Sequence, residues 1–190
     1  AIPGFTTDIS KDEALKMSEK SGIVIMGQTD TLAPADKKFY ALRDVTGTVE
    51  SAPLIVSSIL SKKLASGADT IVFDVKCGNG AFMKNINSAK SLALQLTGIS
   101  SMFGKKTAAV ISDMSQPLGM NIGNSLEVIE AIEVLKGNVE GDLYELSCLI
   151  GGCMVFQAQK TKSLEDGVKL IKKSIKTGQA LSKFEEFVAQ

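Results

Sequence analysis

Two polar residues, Ser58 and Lys62, lie in a segment that is otherwise largely apolar. Their spacing places both side chains on one face of a helix, beside the apolar residues Leu54, Ile55 and Ile59. A hydroxyl and an ammonium group on such a surface can hold a ligand that carries hydrogen-bond acceptors. An ordinary helix with two solvated polar side chains shows the same pattern, so the spacing alone leaves both interpretations open.

Further polar side chains, Tyr40, Arg43 and Asp44, lie at the junction that leads into this segment. The planar guanidinium group of Arg43 donates several hydrogen bonds in a fixed geometry. Together with the Ser58 hydroxyl and the Lys62 ammonium group, it could bind a flat ligand that is rich in acceptors, such as a pyrimidine. The sequence therefore predicts that Arg43, Ser58 and Lys62 form the polar part of one binding site.

Loops that follow the carboxyl ends of strands are the usual ligand sites of open α/β sheets. Three loops are candidates, at 27–33, 76–81 and 112–123. The second contains Gly78 and Gly80, but Met83 stands where a dinucleotide-binding fingerprint has its third glycine, and no Walker A sequence is present. The glycines therefore indicate either a close backbone approach or an ordinary tight turn.

The composition excludes several classes of chemistry and partner. The 190 residues include no histidine, which removes Ser-His-Asp and Cys-His catalysis and histidine-ligated zinc. The 21 basic and 21 acidic residues balance, whereas a nucleic-acid partner needs a clustered basic surplus. No apolar stretch reaches the roughly 18 residues of a membrane-spanning helix. We therefore expect a soluble protein without membrane contact. The odd number of cysteines (Cys77, Cys148 and Cys153) is typical of reduced thiols, so we expect a cytoplasmic location.

Apolar runs typical of buried strands alternate with helix signals along much of the chain. Strands are predicted at 23–26, 70–75 and 107–111. Helices are predicted from a capping box at Ser10 and Glu13 to Gly22, and over 34–44, 54–66, 88–103, 125–135, 143–157, 164–175 and 180–188. The last four helices follow one another without strands, and we expect them to pack on one side of the sheet.

Strands that alternate with helices indicate βαβ units, and therefore an α/β fold with a parallel sheet and flanking helices. We expect the strands near Ile23, Ile71 and Val110 to be parallel neighbours. Three short strands make a poor sheet, because parallel sheets are usually larger and are covered on both faces. Residues 1–190 are therefore expected to form an incomplete piece of a larger domain.

A set of short segments spread over the chain is distinctive. They are Tyr40-Ala41-Leu42-Arg43-Asp44-Val45-Thr46, Pro53-Leu54-Ile55 and Ser58-Ile59-Leu60-Ser61-Lys62-Lys63, with Ile2-Pro3-Gly4-Phe5, Gly27-Gln28-Thr29, Leu32-Ala33-Pro34-Ala35-Asp36-Lys37, Asp74-Val75-Lys76, Gly80-Ala81-Phe82-Met83 and Asp113-Met114-Ser115-Gln116-Pro117-Leu118-Gly119. In this order they strongly resemble the thymidine and pyrimidine-nucleoside phosphorylases. The matches run along nearly the whole chain.

The resemblance implies an enzyme of pyrimidine salvage, a pentosyltransferase that cleaves thymidine, uridine or deoxyuridine with inorganic phosphate. The products would be the free base and ribose or 2-deoxyribose 1-phosphate. The resemblance also implies a homodimer in which each subunit has a small helical domain and a larger α/β domain. No organic cofactor is expected, and some family members bind a potassium ion.

The resemblance further implies roles for individual residues of the base site. Arg43, Ser58 and Lys62 match positions that contact the base. Arg43 and Lys62 would act catalytically, because cationic donors stabilise the negative charge on the departing base. Ile55 and Phe82 match positions that line the base pocket, and Val49 is a further candidate for that lining.

Other positions match the family's potassium site. Its ligands here would be the backbone carbonyls of Leu118 and Asn121 and the carboxylate of Glu130. The family's glycine-rich phosphate loop, a Lys-x-Ser-Thr-Gly-Gly stretch, contributes the remaining ligands and does not occur in the 190 residues.

The missing phosphate loop leaves alternatives open. The resemblance implies that residues 1–190 are an α/β catalytic-domain fragment, with the phosphate loop and helical domain upstream and a further domain downstream. We then expect the isolated chain to be inactive. A non-catalytic binding or structural module is one alternative. A related anthranilate-type phosphoribosyltransferase is another, although the set of Arg43, Ser58 and Lys62 speaks against it.

Overall fold

The computed structural model describes residues 2–27 and 32–189. Within these residues the elements, in chain order, are α1 (Lys11–Ser21), α2 (Pro34–Thr46), α3 (Ala52–Ala65), β1 (Thr70–Cys77), α4 (Ile86–Met102), β2 (Lys106–Asp113), α5 (Asn124–Leu135), α6 (Asp142–Gln157), α7 (Leu164–Lys176) and α8 (Gln179–Val188). The combination of helices with a small sheet confirms the predicted α/β class. None of the helices described combines the length and apolar character needed to cross a membrane.

The sheet is built from β1 and β2, which pair as parallel neighbours. Ile71 lies opposite Thr107, and Asp74 lies opposite Val110. The connection between the strands contains α4, which packs on both of them. Parallel strands need such a crossover, because the chain must return to the same end of the sheet. The predicted pairing of the Ile71 and Val110 strands is confirmed.

The third predicted strand, near Ile23, is wrong. Residues 23–27 belong to no helix or strand, and the described sheet consists of β1 and β2. The Gly27 amide donates to the Thr7 carbonyl oxygen at 2.8 Å, while Ile23 and Ile25 are 40% and 53% exposed. A strand is stable only with a partner along its length and cover for its apolar side chains, and this segment has neither in the described sheet. Residues 28–31 of the predicted loop 27–33 lie outside the described part of the chain.

The core lies between the sheet and the helices α3 and α4. Ile71, Phe73 and Val75 alternate along β1 and are all buried, as expected for one face of a pleated strand. They pack in one cluster with Ile55, Val56, Leu60, Met83, Ala89, Leu92, Ala93 and Leu96. This cluster fixes α3 against the sheet, and it thereby also fixes the face of α3 that carries Ser58 and Lys62.

The helix ends follow local signals in the sequence. At the start of α1, the Ser10 hydroxyl accepts from the Glu13 amide and the Glu13 carboxylate accepts from the Ser10 amide. The helix ends at Gly22, whose φ of 76° is the left-handed conformation that glycine favours. Pro34 opens α2, where its missing N–H has no helical partner to lose. The predicted and observed helix boundaries agree to within a few residues.

The C-terminal helices extend outward from the sheet. α6 packs on both strands, α7 packs on α6, and α8 contacts α7, α1 and α5. α6 and α7 approach closely at two glycines, because a Cβ on Gly167 would lie 2.5 Å from the Gly152 carbonyl oxygen. At the outer end, the rings of Phe187 and Phe5 meet edge to face, with their centroids 5.1 Å apart. Of these helices α6 is the one packed on the strands, while α7 and α8 form further layers.

All three cysteines are free thiols, as predicted. Cys148 and Cys153 are buried in α6, and Cys77 is half-buried at the end of β1. Burial raises the pKa of the Cys148 and Cys153 thiols, which keeps them protonated. These two cysteines therefore act as small apolar core residues.

Candidate functional site

The buried face of α2 is charged. Asp36 and Arg43 are its two buried residues, 9% and 7% exposed. They are two helical turns apart and therefore share one face, and the helix packs against α3. Burying a charged group is unfavourable unless the group is paired, so the partners of Asp36 and Arg43 determine what this face can do.

Lys62 connects the two helices. Its Nζ donates to Asp36 Oδ2 at 2.5 Å and to Ser58 Oγ at 2.9 Å. Ser58 and Lys62 lie on one face of α3, as the spacing predicted, and Asp36 reaches them from the first turn of α2. We call Asp36, Ser58 and Lys62 the Lys62 cluster. It combines one anion, one hydroxyl and one cation at the α2–α3 interface.

The carboxyl group of the Lys62 cluster is ionised at neutral pH. Burial by itself raises the pKa of Asp36. Hydrogen bonds from Lys62 and Ser58, together with the positive charges of Lys62 and Arg43, outweigh this effect and hold the pKa of Asp36 below its usual value. Arg43 therefore lies close enough to the Lys62 cluster to act on it electrostatically.

Arg43 is held in place but is not fully hydrogen-bonded. One of its terminal nitrogens donates to the Val49 carbonyl oxygen. Its Cζ lies 5.2 Å from the centre of the Tyr40 ring, a cation–π contact. Within the described part of the chain, the buried Arg43 Nε has no hydrogen-bond partner. An unpaired buried donor is unfavourable, so this nitrogen is an energetic cost that the fold carries at Arg43.

The apolar residues predicted for this site take different positions. Ile55 is 8% exposed and packs in the core together with Met83. Phe82, the neighbour of Met83, is 59% exposed in the loop after β1. Val49 is half-buried and contributes its backbone carbonyl to Arg43. Ile55 thus holds α3 against the core, whereas Phe82 presents an exposed ring at the carboxyl end of the strand.

Glu130 holds the loop that follows β2. It is 6% exposed, and its Oε1 and Oε2 accept from the backbone amides of Met120 at 2.7 Å and Asn121 at 3.0 Å. These hydrogen bonds lower the pKa of Glu130, so its carboxylate is ionised. Gly119 lets the loop approach Glu130 closely, because a Cβ there would lie 2.5 Å from Glu130 Oε2 and would displace the carboxylate.

The three residues predicted as potassium ligands belong to this loop and its anchor. Leu118 and Glu130 line a cavity of about 490 Å³ between the loop and the start of α6, and Asn121 contacts Glu130 through its backbone amide. Hard cations prefer oxygen ligands, and Glu130 supplies an ionised carboxylate whose two oxygens already accept backbone amides of the loop. Among the described residues no group of three or more His, Cys, Asp or Glu could hold a metal, so backbone oxygens would have to complete any such site.

The glycines of the loop 76–81 allow a close approach to a neighbouring loop. The Gly80 amide donates to the Met114 carbonyl oxygen at 2.8 Å, and a Cβ on Gly80 would lie 2.6 Å from that oxygen. A Cβ on Gly78 would likewise lie 2.5 Å from Ser115 Oγ. The loops after β1 and β2 therefore pack on each other. The Ala81 amide also donates to the Gly78 carbonyl oxygen at 3.0 Å, so these glycines serve both a tight turn and a close backbone approach.

Two groups of polar contacts were not predicted from the sequence. The first is the pairing of Asp36 with Lys62, since an acidic residue in the first turn of a helix is an ordinary feature. In the spacing of residues, the feature that could have indicated a buried Asp36 was its position two helical turns before Arg43. The second is at the carboxyl ends of the strands, where Lys76 Nζ contacts Asp74 Oδ2 at 2.7 Å and Ser112 Oγ at 3.0 Å.

The class of protein follows from comparison with known families. Two cationic side chains, Arg43 and Lys62, are held at the α2–α3 interface of an α/β chain. The chain belongs to the glycosyl transferase family, a/b domain, whose family model matches residues 1–181. The family resemblance inferred from the motifs is confirmed.

Three individual proteins show how similar this chain is to members of the family. A pyrimidine-nucleoside phosphorylase from Geobacillus stearothermophilus is 53% identical over 189 residues, which cover 100% of this chain and 44% of the relative. The protein of the same name from Bacillus subtilis (strain 168) is 52% identical over 188 residues, covering 99% of this chain and 43% of the relative. That from Staphylococcus aureus (strain USA300) is 50% identical over 188 residues, with the same coverage. The chain therefore spans less than half the length of these relatives.

Proposed function

We propose that this chain supplies the base-binding part of a pyrimidine-nucleoside phosphorylase. Such an enzyme transfers the pentosyl group of a pyrimidine nucleoside to inorganic phosphate and releases the free base. The substrates we assign are thymidine, uridine and deoxyuridine. Family membership and the names of the relatives support the proposal. The structural observation that carries it is the Lys62 cluster with Arg43 beside it.

The proposed mechanism depends on the charge that the base acquires as it leaves. When the glycosidic bond breaks, its electron pair remains on N1 of the base and is shared with the carbonyl oxygens. Arg43 and Lys62 are held before any substrate binds, Arg43 by the Val49 carbonyl and Lys62 by its partners in the cluster. Preorganised cations stabilise this developing charge more than they stabilise the neutral substrate, and such differential binding accelerates the reaction.

The remaining residues of the site bind and orient the base. The guanidinium group of Arg43, which Val49 and Tyr40 hold in place, would donate to an acceptor on the base. The Ser58 hydroxyl would add a neutral hydrogen bond. The exposed ring of Phe82 offers an apolar surface for the flat face of the base, while Ile55 fixes the position of α3 from the core.

The potassium site and the oligomeric state belong to the same proposal. Glu130 and the backbone carbonyls of Leu118 and Asn121 would hold a potassium ion, which supplies a fixed positive charge when it is bound. Glu130 also orders the loop 119–121 through its two backbone hydrogen bonds.

Further assignments concern the complete protein. We assign it no organic cofactor, no nucleic-acid partner and a cytoplasmic location. We also propose that it is a homodimer, and analytical sedimentation of the purified protein would measure its mass in solution.

The test uses the complete product of the gene that encodes these residues. The purified protein is incubated with uridine or thymidine, with and without inorganic phosphate, and the free base is quantified by chromatography. We expect release of base only when phosphate is present, with formation of an equal amount of pentose 1-phosphate. Absence of base release, or equal release without phosphate, would contradict the proposal.

A further inference from the structure

We infer that Asp36 is the positioning residue of Lys62. It fixes where the Lys62 ammonium group points, and it sets the net charge that Asp36, Arg43 and Lys62 carry together. The inference rests on the proposed function and extends it to a residue with no predicted role. Asp36 does not need to touch the base, since it acts through the ammonium group of Lys62.

Asp36 and Ser58 together fix the position of the Lys62 ammonium group. A lysine side chain has four rotatable carbon–carbon bonds, and ordering it costs conformational entropy. Asp36 Oδ2 and Ser58 Oγ bind the same Nζ from two helices and so fix its position before a substrate arrives. Pro34 and the first turn of α2 hold the backbone that carries Asp36. The Lys62 side chain, 28% exposed, is therefore preorganised and still accessible to a ligand.

Asp36 also offsets part of the positive charge at the α2–α3 interface. Arg43 and Lys62 bring two positive charges to the α2–α3 interface, and Asp36 contributes one negative charge. The group therefore carries one net positive charge, which matches the single negative charge that a departing pyrimidine base acquires. Two unbalanced cations would repel one another and would bind free anions such as phosphate in place of the base.

A purely structural salt bridge would also stabilise the contact between α2 and α3, so the test must measure chemistry. Removing one member of a buried ion pair destabilises a protein whether or not the pair is functional. If Asp36 positions Lys62, its removal should also change the chemistry. The effect on rate should depend on how much charge the leaving base must carry, and it should disappear when Lys62 itself is absent.

The experiment compares Asp36→Asn with the wild type in the complete gene product. Asp12→Asn is the matched control, because Asp12 is an exposed aspartate in the first turn of α1 and loses the same charge. Single-turnover rates of base release are measured with uridine and with 5-fluorouridine, whose base is a better leaving group. We expect Asp36→Asn to be roughly 10–100-fold slower with uridine, by analogy with loss of the outer partner that orients a metal ligand. With 5-fluorouridine the loss should be clearly smaller, and Asp12→Asn should match the wild type.

A double-mutant cycle shows whether Asp36 acts through Lys62. We expect Asp36→Asn combined with Lys62→Ala to be no slower than Lys62→Ala alone. If Asp36→Asn does not fold, Asp36→Glu is compared with Asp36→Gln, because these two variants have side chains of nearly the same size and differ from each other in charge. The Glu variant should then be at least about tenfold faster than the Gln variant, by the same reasoning.

The outcomes separate this inference from the proposed function. A rate for Asp36→Asn within twofold of the wild type, an equal loss with both nucleosides, or fully additive effects with Lys62→Ala would overturn the positioning role alone. Glu and Gln variants of equal rate would do the same. Absence of phosphate-dependent base release by the wild type would overturn the proposed function, and this inference with it.

Discussion

At the residue scale, the buried charges between α2 and α3 are the feature that folding alone does not explain. Asp36 and Arg43 are 9% and 7% exposed, and an apolar pair in their place would avoid the cost of desolvation. Positions where a sequence departs from such packing rules are commonly functional. Here the departure coincides with Ser58 and Lys62, the residues whose spacing first indicated a site.

A residue-scale prediction separates the charged donors from the neutral one. Arg43→Ala or Lys62→Ala should each lower the turnover number by on the order of 10²–10³, as loss of an oxyanion-hole donor does. Ser58→Ala should cost less, because a neutral hydrogen bond contributes only about 1 kcal/mol net. Steady-state phosphorolysis of uridine by the complete gene product measures all three effects.

The matched control for Lys62→Ala is Lys63→Ala. Lys63 is the next residue on α3 and is exposed, so its substitution removes the same charge without disturbing the Lys62 cluster. Lys63→Ala should keep wild-type turnover. Equal losses of turnover in the two variants, or full turnover in Lys62→Ala, would show that release of the base does not depend on Lys62.

At the element scale, the ion pair between Asp36 and Lys62 makes the contact between α2 and α3 dependent on pH. The pKa of Asp36 is lowered in the fold, so its ionisation stabilises the native state above the ordinary pKa of an aspartate. That stabilisation is lost as the pH falls through the lowered pKa. Between about pH 5 and about pH 2, we expect the free energy of unfolding to fall more steeply in the wild type than in Asp36→Asn. Urea unfolding of this chain across that range provides the measurement, and parallel curves for the two proteins would refute the prediction.

A second element-scale prediction concerns the contact between α6 and α7. Gly152→Ala should destabilise the fold by about 1–3 kcal/mol, because its Cβ would lie 2.6 Å from Val168 Cγ2 and 2.7 Å from the Val168 backbone nitrogen. Gly98→Ala is the control, since nothing lies within 4 Å of a Cβ at that exposed position of α4. It should stabilise the helix by up to about 1 kcal/mol. Denaturant unfolding of both variants distinguishes them, and a loss of stability in both would contradict the packing argument.

At the scale of the whole molecule, the base side of the proposed site is present and the phosphate side is not identified in these residues. No Lys-x-Ser-Thr-Gly-Gly stretch occurs in the sequence, and the chain spans 44% of the Geobacillus relative. We therefore expect the purified 190-residue chain to release no base from uridine or thymidine when phosphate is added. Chromatographic detection of base above a protein-free control, increasing with chain concentration, would show that these residues suffice.

Features that depend on neighbouring residues were predicted correctly from the sequence, whereas a feature that depends on a distant partner was not. The capping box at Ser10 and the glycine at Gly22 were sufficient to place α1, because both act within a few residues. The strand predicted near Ile23 failed for the opposite reason. An apolar run shows that a segment can be buried, but it becomes a strand only if a partner strand lies beside it.

Family membership, the α/β class, the helix ends and the shared face of Ser58 and Lys62 were all determined by the sequence, since each depends on neighbouring residues or on motif order. Only the tertiary structure decided that Asp36 pairs with Lys62, 26 residues away in the chain. That contact exists because α2 packs on α3, which the core in turn holds against α4. Neither a single helix nor its periodicity contains that information, because the energy of a buried ion pair depends on what surrounds both partners.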